Sequence, residues 1–251
     1  MKIDLTGHTA LVTGGSRGLG EAIAVALAEA GAAVALVGRD RARLEAVQAR
    51  IAAGGGRAAR FTADVTSEAD VARLALEVKA ELGAPDILVN NAGINIRKNL
   101  VDFSTAEFRQ VVDASLLSTF LVTRAFAPGM TGRGYGRVIN IASMLSHVSL
   151  PQRTAYSAAK TALLGFTRAL ALELAPEAVT VNAISPGPFA TEMNAPVIND
   201  PQASANFMAN LPLGRWGRTE EVGGLACYLC SDLAGFITGT DVVIDGGWTA
   251  K

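Results

Sequence analysis

The sequence predicts an α/β fold in which helices cover both faces of a doubly wound, parallel, seven-stranded sheet. Short apolar runs alternate with longer stretches of helical period along the 251 residues. A glycine-rich turn joins the first apolar run to the first helical stretch. Half of the residues are apolar and 18% are charged, which favours a large core over disorder. No repeat or linker interrupts the pattern, so we expect residues 1–251 to form one domain.

The individual elements follow from local patterns. The first strand is the apolar run TALVT at 9–13. The first helix, 18–30, places Ile23 and Leu27 on one apolar face and ends before Gly31, a residue type typical of helix ends. Further strands are predicted at 33–38, 57–62, 86–90, 137–142, 179–184 and 241–245, and further helices at 40–53, 68–82, 107–127, 154–175 and 219–230.

The segment 186–213 breaks this alternation. It is rich in proline, has mixed polarity and follows a predicted strand directly. We expect a loop or a short-helix excursion here that acts as a substrate lid.

Charge and cysteine content exclude several classes of protein. Lys and Arg together number 22 against 23 Asp and Glu, so we expect no nucleic-acid partner. Cys227 and Cys230 lie in an apolar helical pattern and are expected to pack in the core. The two histidines, His8 and His147, do not suggest a metal site. We expect neither a leader nor a membrane span, and hence a soluble, cytoplasmic protein.

The string TGGSRGLG at 13–20 carries Gly14, Gly18 and Gly20 between the first strand and the first helix. Without a Cβ, these residues let the chain turn sharply and bring backbone N–H groups close to a pyrophosphate at the positive end of the helix. The alternative interpretation is a plain tight turn. The strand before and the helix after favour a dinucleotide site.

The end of the second strand reads Val37-Gly38-Arg39 and offers no carboxylate to the adenosine ribose hydroxyls. Arg39 and Arg17 could instead bind a 2′-phosphate through charge-assisted hydrogen bonds worth about 1.5–3 kcal/mol each. The sequence therefore favours NADP(H), with NAD(H) as the alternative. Asp40 is interpreted as the cap of the next helix.

Four motifs follow one another along the chain: the glycine turn, Asn90-Asn91-Ala92-Gly93, Ser143, and Tyr156-Ser157-Ala158-Ala159-Lys160. In this order they resemble the short-chain dehydrogenase/reductase family over nearly the whole chain. The resemblance implies a nicotinamide cofactor, hydride transfer between a carbonyl and an alcohol, and a homotetramer. The cofactor-binding residues that we expect are Gly14, Ser16, Arg17, Gly18, Leu19, Gly20, Arg39, Asp64, Val65, Asn91, Ala92, Gly93, Tyr156, Lys160, Pro186, Gly187 and Phe189.

The catalytic residues implied by the resemblance are Ser143, Tyr156 and Lys160. Tyr156 would give a proton to the substrate oxygen, and Ser143 would donate a hydrogen bond to that oxygen. Lys160 lies one helical turn after Tyr156 on the same face. A cation about 4 Å from the phenol is worth about 4 kcal/mol at an effective dielectric of about 20, so we expect Lys160 to lower the pKa of Tyr156 toward neutrality.

Ser115 departs from the family pattern, which commonly has asparagine at this place in the helix before Ser143. The family residue helps to anchor a water in the proton path, mainly through its backbone carbonyl. Serine keeps that carbonyl and can loosen a helical turn by bonding to the backbone. We count Ser115 among the expected catalytic residues, and we expect activity to survive with a weaker proton relay.

Features outside the catalytic motifs indicate the class of substrate. Arg97, the string INIASMLS and the ending Asp245-Gly246-Gly247-Trp248 look most like the branch that acts on sugar acids. A carboxylate would suit Arg97, and His147 is a second candidate at the substrate pocket. The alternative is the branch that reduces 3-oxoacyl thioesters of acyl carrier protein. A non-catalytic nucleotide-binding regulator is the alternative from another class.

Overall fold

The computed structural model describes residues 3–250 and contains one seven-stranded parallel sheet. The strands are β1 (Thr9–Thr13), β2 (Ala33–Gly38), β3 (Arg57–Thr62), β4 (Ile87–Asn90), β5 (Gly136–Ile141), β6 (Val179–Pro186) and β7 (Asp241–Ile244). Their order in the sheet is β3-β2-β1-β4-β5-β6-β7. The order reverses between β1 and β4, which creates the crevice where such sheets bind ligands. The predicted fold class is confirmed.

Helices cover both faces of the sheet because side chains alternate along each buried strand. The helices are α1 (Gly18–Glu29), α2 (Arg41–Ala53), α3 (Glu68–Leu82), α4 (Thr105–Val112), α5 (Ser118–Phe126), α6 (Thr154–Leu174), α7 (Ala195–Ile198), α8 (Pro201–Met208) and α9 (Thr219–Cys230). In β1, Ala10 and Val12 face the core beneath α1, α2 and α9, whereas Leu11 faces the core beneath α3, α5 and α6.

The helix predicted at 107–127 is interrupted. A π-helical turn, Asp113–Leu117, separates α4 from α5. By length and composition alone, the stretch Thr105–Gly129 meets the criterion for a helix that could cross a membrane. Half of its most apolar window is buried inside the fold, and Leu121 and Phe126 lie in the core next to the sheet. It therefore packs as a core helix.

The predicted lid segment has more structure than a loop. Strand β6 continues to Pro186, and α7 and α8 follow it. Phe207 on α8 stacks on Trp216 with the ring centroids 5.2 Å apart. Its ring also packs at a tilt against Trp248, with the centroids 4.6 Å apart. These contacts hold the end of α8 against the body of the fold.

Both cysteines pack as predicted. Cys227 and Cys230 are buried free thiols in the core beneath α9. Burial raises the pKa of Cys227 to about 12, so its thiol stays protonated and unreactive at neutral pH.

Candidate active site

A cleft of about 1000 Å³ opens at the carboxyl ends of β1, β4, β5 and β6. It lies beside the strand-order reversal and extends from the glycine turn to the lid segment. Ser143, Tyr156 and Lys160 line this one space, together with all predicted cofactor residues except Gly20.

The glycine turn has the shape that a pyrophosphate needs. Gly14 and Gly18 have φ values of +62° and +59°, a conformation that favours glycine. The amide of Asn91 donates to the carbonyls of Thr13 and Gly14 at 3.0 and 3.2 Å, and so fixes the turn to the neighbouring strand. The residues present therefore fit the pyrophosphate of a nicotinamide dinucleotide at the N-terminus of α1.

Gly20, in the first turn of α1, packs directly against this glycine turn. A Cβ at Gly20 would lie 2.2 Å from the carbonyl oxygen of Gly14 and 2.4 Å from the Asn91 amide nitrogen. It does not line the cleft. The prediction of direct cofactor contact is corrected: Gly20 allows the helix to approach the turn closely.

The adenosine end of the cleft contains Arg39 and Asp64. Hydrogen bonds from the backbone and hydroxyl of Thr66 lower the pKa of Asp64, and the charge of Arg39 adds to this effect. The carboxylate of Asp40 accepts from the backbone N–H of Arg43 at 3.1 Å. Asp40 therefore caps α2 as predicted.

An ion-pair network not foreseen from the sequence crosses the cleft mouth. Glu192, in the lid segment, accepts from Arg17 at 3.0 Å and from Arg43 at 2.9 Å. All three side chains are about half exposed. Arg43 is a third guanidinium near the predicted phosphate position. The basic residues at 39–43 are the feature of the sequence from which its role could have been predicted. Thr191, the neighbour of Glu192, also lines the cleft and was missed.

Strand β5 and helix α6 bring the three predicted catalytic residues to one wall of the cleft. Ser143 follows the end of β5, is buried, and its hydroxyl accepts from the backbone N–H of Leu145 at 3.1 Å. Tyr156 and Lys160 lie one turn apart on α6. The Lys160 Nζ donates to the carbonyl of Ile141 at 2.5 Å and lies 5.8 Å from the centre of the Tyr156 ring.

The pKa of Tyr156 differs from the prediction. Burial raises it, while the Ser143 hydroxyl and the charge of Arg153 lower it in part. Lys160 is buried as well, and that burial lowers its own pKa from 10.5 to about 8. The predicted acidification of Tyr156 by Lys160 is therefore wrong for the protein without cofactor, because desolvation of the phenolate dominates.

Ser115 lies buried in the π-helical turn, behind Gly93 rather than on the cleft surface. Among the residues that the structure describes, its hydroxyl has no hydrogen-bond partner. A Cβ added at Gly93 would lie 3.3 Å from this hydroxyl and 3.5 Å from the Lys160 Nζ. The predicted serine-to-backbone bond is corrected: Thr119 supplies it instead, donating to the Ser115 carbonyl at 2.8 Å.

The two predicted substrate residues lie in different places. Arg97 is exposed at the cleft, and its guanidinium donates to the carbonyl of Met193 at 3.5 Å. His147 is outside the cleft lining, where its Nε2 pairs with Asp241 at 2.5 Å. Its position does not support a place in the substrate pocket.

A cleft at the switch point of a parallel sheet, with a glycine turn beneath it, defines a dinucleotide-binding protein of the Rossmann type. Residues 14–249 match a protein-family model described as enoyl-(acyl carrier protein) reductase. Together with the relatives below, this match shows that the chain belongs to the short-chain dehydrogenase/reductase family of oxidoreductases.

Relatives with different names match over nearly their full lengths. The chain is 39% identical over 246 residues to the 3-oxoacyl-[acyl-carrier-protein] reductase FabG of Pseudomonas aeruginosa, covering 98% of both chains. It is 36% identical to the gluconate 5-dehydrogenase of Gluconobacter oxydans, covering 98% of this chain and 96% of the relative. A gluconate 5-dehydrogenase from Burkholderia cenocepacia, solved with NADP and tartrate, superimposes with a TM-score of 0.95 at 35% identity, covering 100% of this chain and 98% of that one.

Burial of Lys160 leads to a stability prediction. Its pKa in the fold lies below that of an unfolded lysine, so the protonated form destabilises the fold. This destabilisation is complete below pH about 8 and disappears as the pH rises toward 10.5. We expect Lys160→Met to increase the free energy of unfolding at pH 6.5 by up to about 3 kcal/mol, and to increase it less at high pH.

Urea unfolding of both proteins across this pH range measures the effect. Lys79→Met, an exposed lysine of α3, is the control and should change stability little at either end. A Lys160→Met protein less stable than the parent at pH 6.5 would contradict the prediction.

Proposed function

We propose that the chain is an NADP(H)-dependent oxidoreductase that transfers a hydride between the nicotinamide and a carbonyl or secondary alcohol. The observation that carries the proposal is that Ser143, Tyr156 and Lys160 share one wall of the cleft that begins at the glycine turn. When bound, the nicotinamide would supply or accept the hydride. The protein would contribute orientation and the proton.

Tyr156 is the proton donor in reduction. Its raised pKa keeps the phenol protonated at neutral pH, which suits the role of an acid toward an oxygen that gains negative charge. Ser143, buried and adjacent to this phenol, would donate to the same oxygen. Lys160 would hold the nicotinamide ribose hydroxyls and stabilise the phenolate that remains after proton transfer.

Ser115 belongs to the proton path in this proposal. Its buried hydroxyl has no partner among the described residues, and a Cβ on Gly93 would lie within 3.5 Å of both this hydroxyl and the Lys160 ammonium. A hydroxyl at this position can both donate and accept a proton. We place it between Lys160 and solvent, where the family commonly has asparagine.

The preference for NADP(H) over NAD(H) rests on the basic end of the cleft. Asp40 caps α2, so no carboxylate at the end of β2 is free for the ribose hydroxyls. Arg17 and Arg43 already hold an anion, the Glu192 carboxylate, and Arg39 lines the same end. A 2′-phosphate would meet the same kind of charge complementarity. The structural neighbour from Burkholderia cenocepacia carries NADP.

A sugar acid such as gluconate or 5-ketogluconate is the substrate that we favour. Relatives named gluconate 5-dehydrogenase and the guanidinium of Arg97 at the cleft support it. The second candidate is a 3-oxoacyl thioester of acyl carrier protein, favoured by the relative of that name.

The surroundings of the site complete the proposal. The segment 186–213 would act as a lid, since Glu192, Met193 and Phe207 line the cleft from it.

The single chain leaves large apolar side chains exposed on α4, the π-helical turn, α5 and α6. These are Phe108, Leu117, Phe120 and Leu172. A homotetramer would cover them. We place the enzyme in the cytoplasm.

Replacement of Tyr156 by Phe tests the proposed reaction. We expect reduction of 5-ketogluconate by NADPH to fall about 100- to 10,000-fold, because the proton donor is gone, while NADPH still binds. Tyr228→Phe, on an exposed face of α9, should keep its activity. Turnover retained in Tyr156→Phe would remove the proposed acid. Tight NADPH binding by the parent without turnover of any carbonyl would favour the regulator instead.

Arg39 tests the cofactor preference. We expect Arg39→Asp to lower the ratio of kcat/KM for NADPH to that for NADH about 10- to 100-fold, since it replaces a phosphate ligand by a carboxylate. Arg41→Asp, an exposed arginine two residues further on, serves as the control for the same change in charge. Equal ratios in the two variants would show that Arg39 does not bind the phosphate.

A further inference from the structure

The cleft is much more basic than the protein as a whole. Lys and Arg nearly balance Asp and Glu over the chain, with 22 against 23. The charged residues that line the cleft are Arg17, Arg39, Arg97, Arg109, Arg153, Lys160, Asp64, Asp113 and Glu192. Cations outnumber anions among them by two to one, so the cleft as a whole favours negatively charged ligands.

The catalytic half of the cleft contains two cations, Arg97 and Arg153, that lack a carboxylate partner; Arg109 also lines the cleft and forms no ion pair with any of residues 3–250. Glu192 pairs with Arg17 at the cofactor end, and the charge of Arg39 acts on Asp64. Neither Arg97 nor Arg153 forms an ion pair with any of residues 3–250. A cofactor would account for the basic end near Arg39, but not for two unpaired guanidinium groups beside the proposed proton donor.

Arg153 lines the same cleft as Ser143 and Tyr156. It precedes α6, three residues before Tyr156, and is half-buried. Burial and then the charge of Arg97 lower the pKa of Arg153, and the charge of Arg153 in turn lowers the pKa of Tyr156. The Arg153 guanidinium therefore lies within electrostatic reach of both Arg97 and the phenol.

The guanidinium of Arg153 is held by a hydrogen bond to its own backbone neighbour and by no ion pair with any of residues 3–250. Its Nη1 donates to the carbonyl of the preceding residue, Gln152, at 3.2 Å. Gln152 itself has a φ of +66°, one of two such values among the described residues that are not glycine. This conformation is costly for an L-residue, and such strain is typical of functional sites. It sets the direction in which the chain enters α6 at Arg153.

We propose that Arg153 is a specificity-determining residue that, together with Arg97, binds the carboxylate of an acidic substrate whose reacting carbonyl lies at Tyr156. The inference rests on the proposed function and narrows its substrate to polyhydroxy or keto acids. Two guanidinium groups that repel each other are both stabilised by one carboxylate, which guanidinium binds through paired hydrogen bonds. A neutral 3-oxo thioester would leave both charges uncompensated in the cleft.

The test compares two ligands that differ at one group. L-sorbose is the analogue of 5-ketogluconate in which CH₂OH replaces the carboxylate. Calorimetric titration of each ligand into the protein with bound NADP⁺ gives the ratio of their dissociation constants without dependence on turnover. We expect the parent to bind 5-ketogluconate at least about 10-fold tighter than L-sorbose, and Arg153→Gln to lose most of that ratio.

Two further variants separate charge from structure. Arg153→Lys should regain part of the ratio because it restores the cation without the planar fork. Arg168→Gln, an exposed arginine on the same helix, should leave the ratio as in the parent. In steady-state reduction, Arg153→Gln should raise KM for 5-ketogluconate more than it lowers kcat.

The possible outcomes distinguish failure of this inference from failure of the proposed function. A parent that binds both ligands equally, or an Arg153→Gln variant with the ratio of Arg168→Gln, would overturn the inference even if carbonyl reduction proceeds. Tighter binding of inorganic phosphate than of 5-ketogluconate would overturn the carboxylate assignment. Absence of any turnover, with the acid preference present and dependent on Arg153, would overturn the proposed function alone.

Discussion

The burial of one ammonium group, that of Lys160, is the constraint on which the site depends. A charged amine away from water is unfavourable unless hydrogen bonds replace its hydration. The carbonyl of Ile141, at the end of β5, supplies one such bond at 2.5 Å. This acceptor is within reach because α6 packs at the carboxyl edge of β5, and the same packing places Tyr156 close to Ser143. The position of the site therefore follows from the packing of α6 on the sheet.

The second organising feature is the distribution of charge along the cleft. At the cofactor end, guanidinium groups from the glycine turn and from α2 meet the carboxylate of Glu192. These pairs are exposed and contribute little to stability. Their importance is geometric, because they hold two cations together at one position and connect that position to the lid segment. At the catalytic end, Arg97 and Arg153 have no such carboxylate among residues 3–250, and an acidic ligand would supply it.

Much of the fold was predictable because local chemistry and global packing agree. The bounds of β1, β2 and β3 match the prediction to the residue, since each is an apolar or alternating run between polar residues or glycine. The π-helical turn at Asp113–Leu117 was not predictable. Its sequence continues the helical pattern on both sides, and the irregularity belongs to the tertiary structure around Gly93 and Lys160.

The sequence was sufficient to predict which residues form the catalytic part of the site. It was not sufficient to predict their ion pairs or the direction of their pKa shifts. Motif order led to Ser143, Tyr156 and Lys160, whereas Arg43 and Glu192 are 149 residues apart and reveal their pairing only in three dimensions. His147 was misplaced because its partner, Asp241, comes from the edge strand β7. The direction of the Tyr156 pKa shift was wrong because sequence spacing shows the neighbouring charge but not the loss of solvent.

The central claim is that a buried phenol serves as the acid and that the cofactor, with Lys160, completes its electrostatic environment. Titration of the Tyr156 phenolate absorbance, as the difference between the parent and Tyr156→Phe, measures this directly with and without NADP⁺. We expect the pKa of Tyr156 to lie above that of a free phenol in the protein without NADP⁺, and to decrease when NADP⁺ binds. A pKa near neutrality in the free protein, or one that NADP⁺ leaves unchanged, would contradict the proposed role of Tyr156.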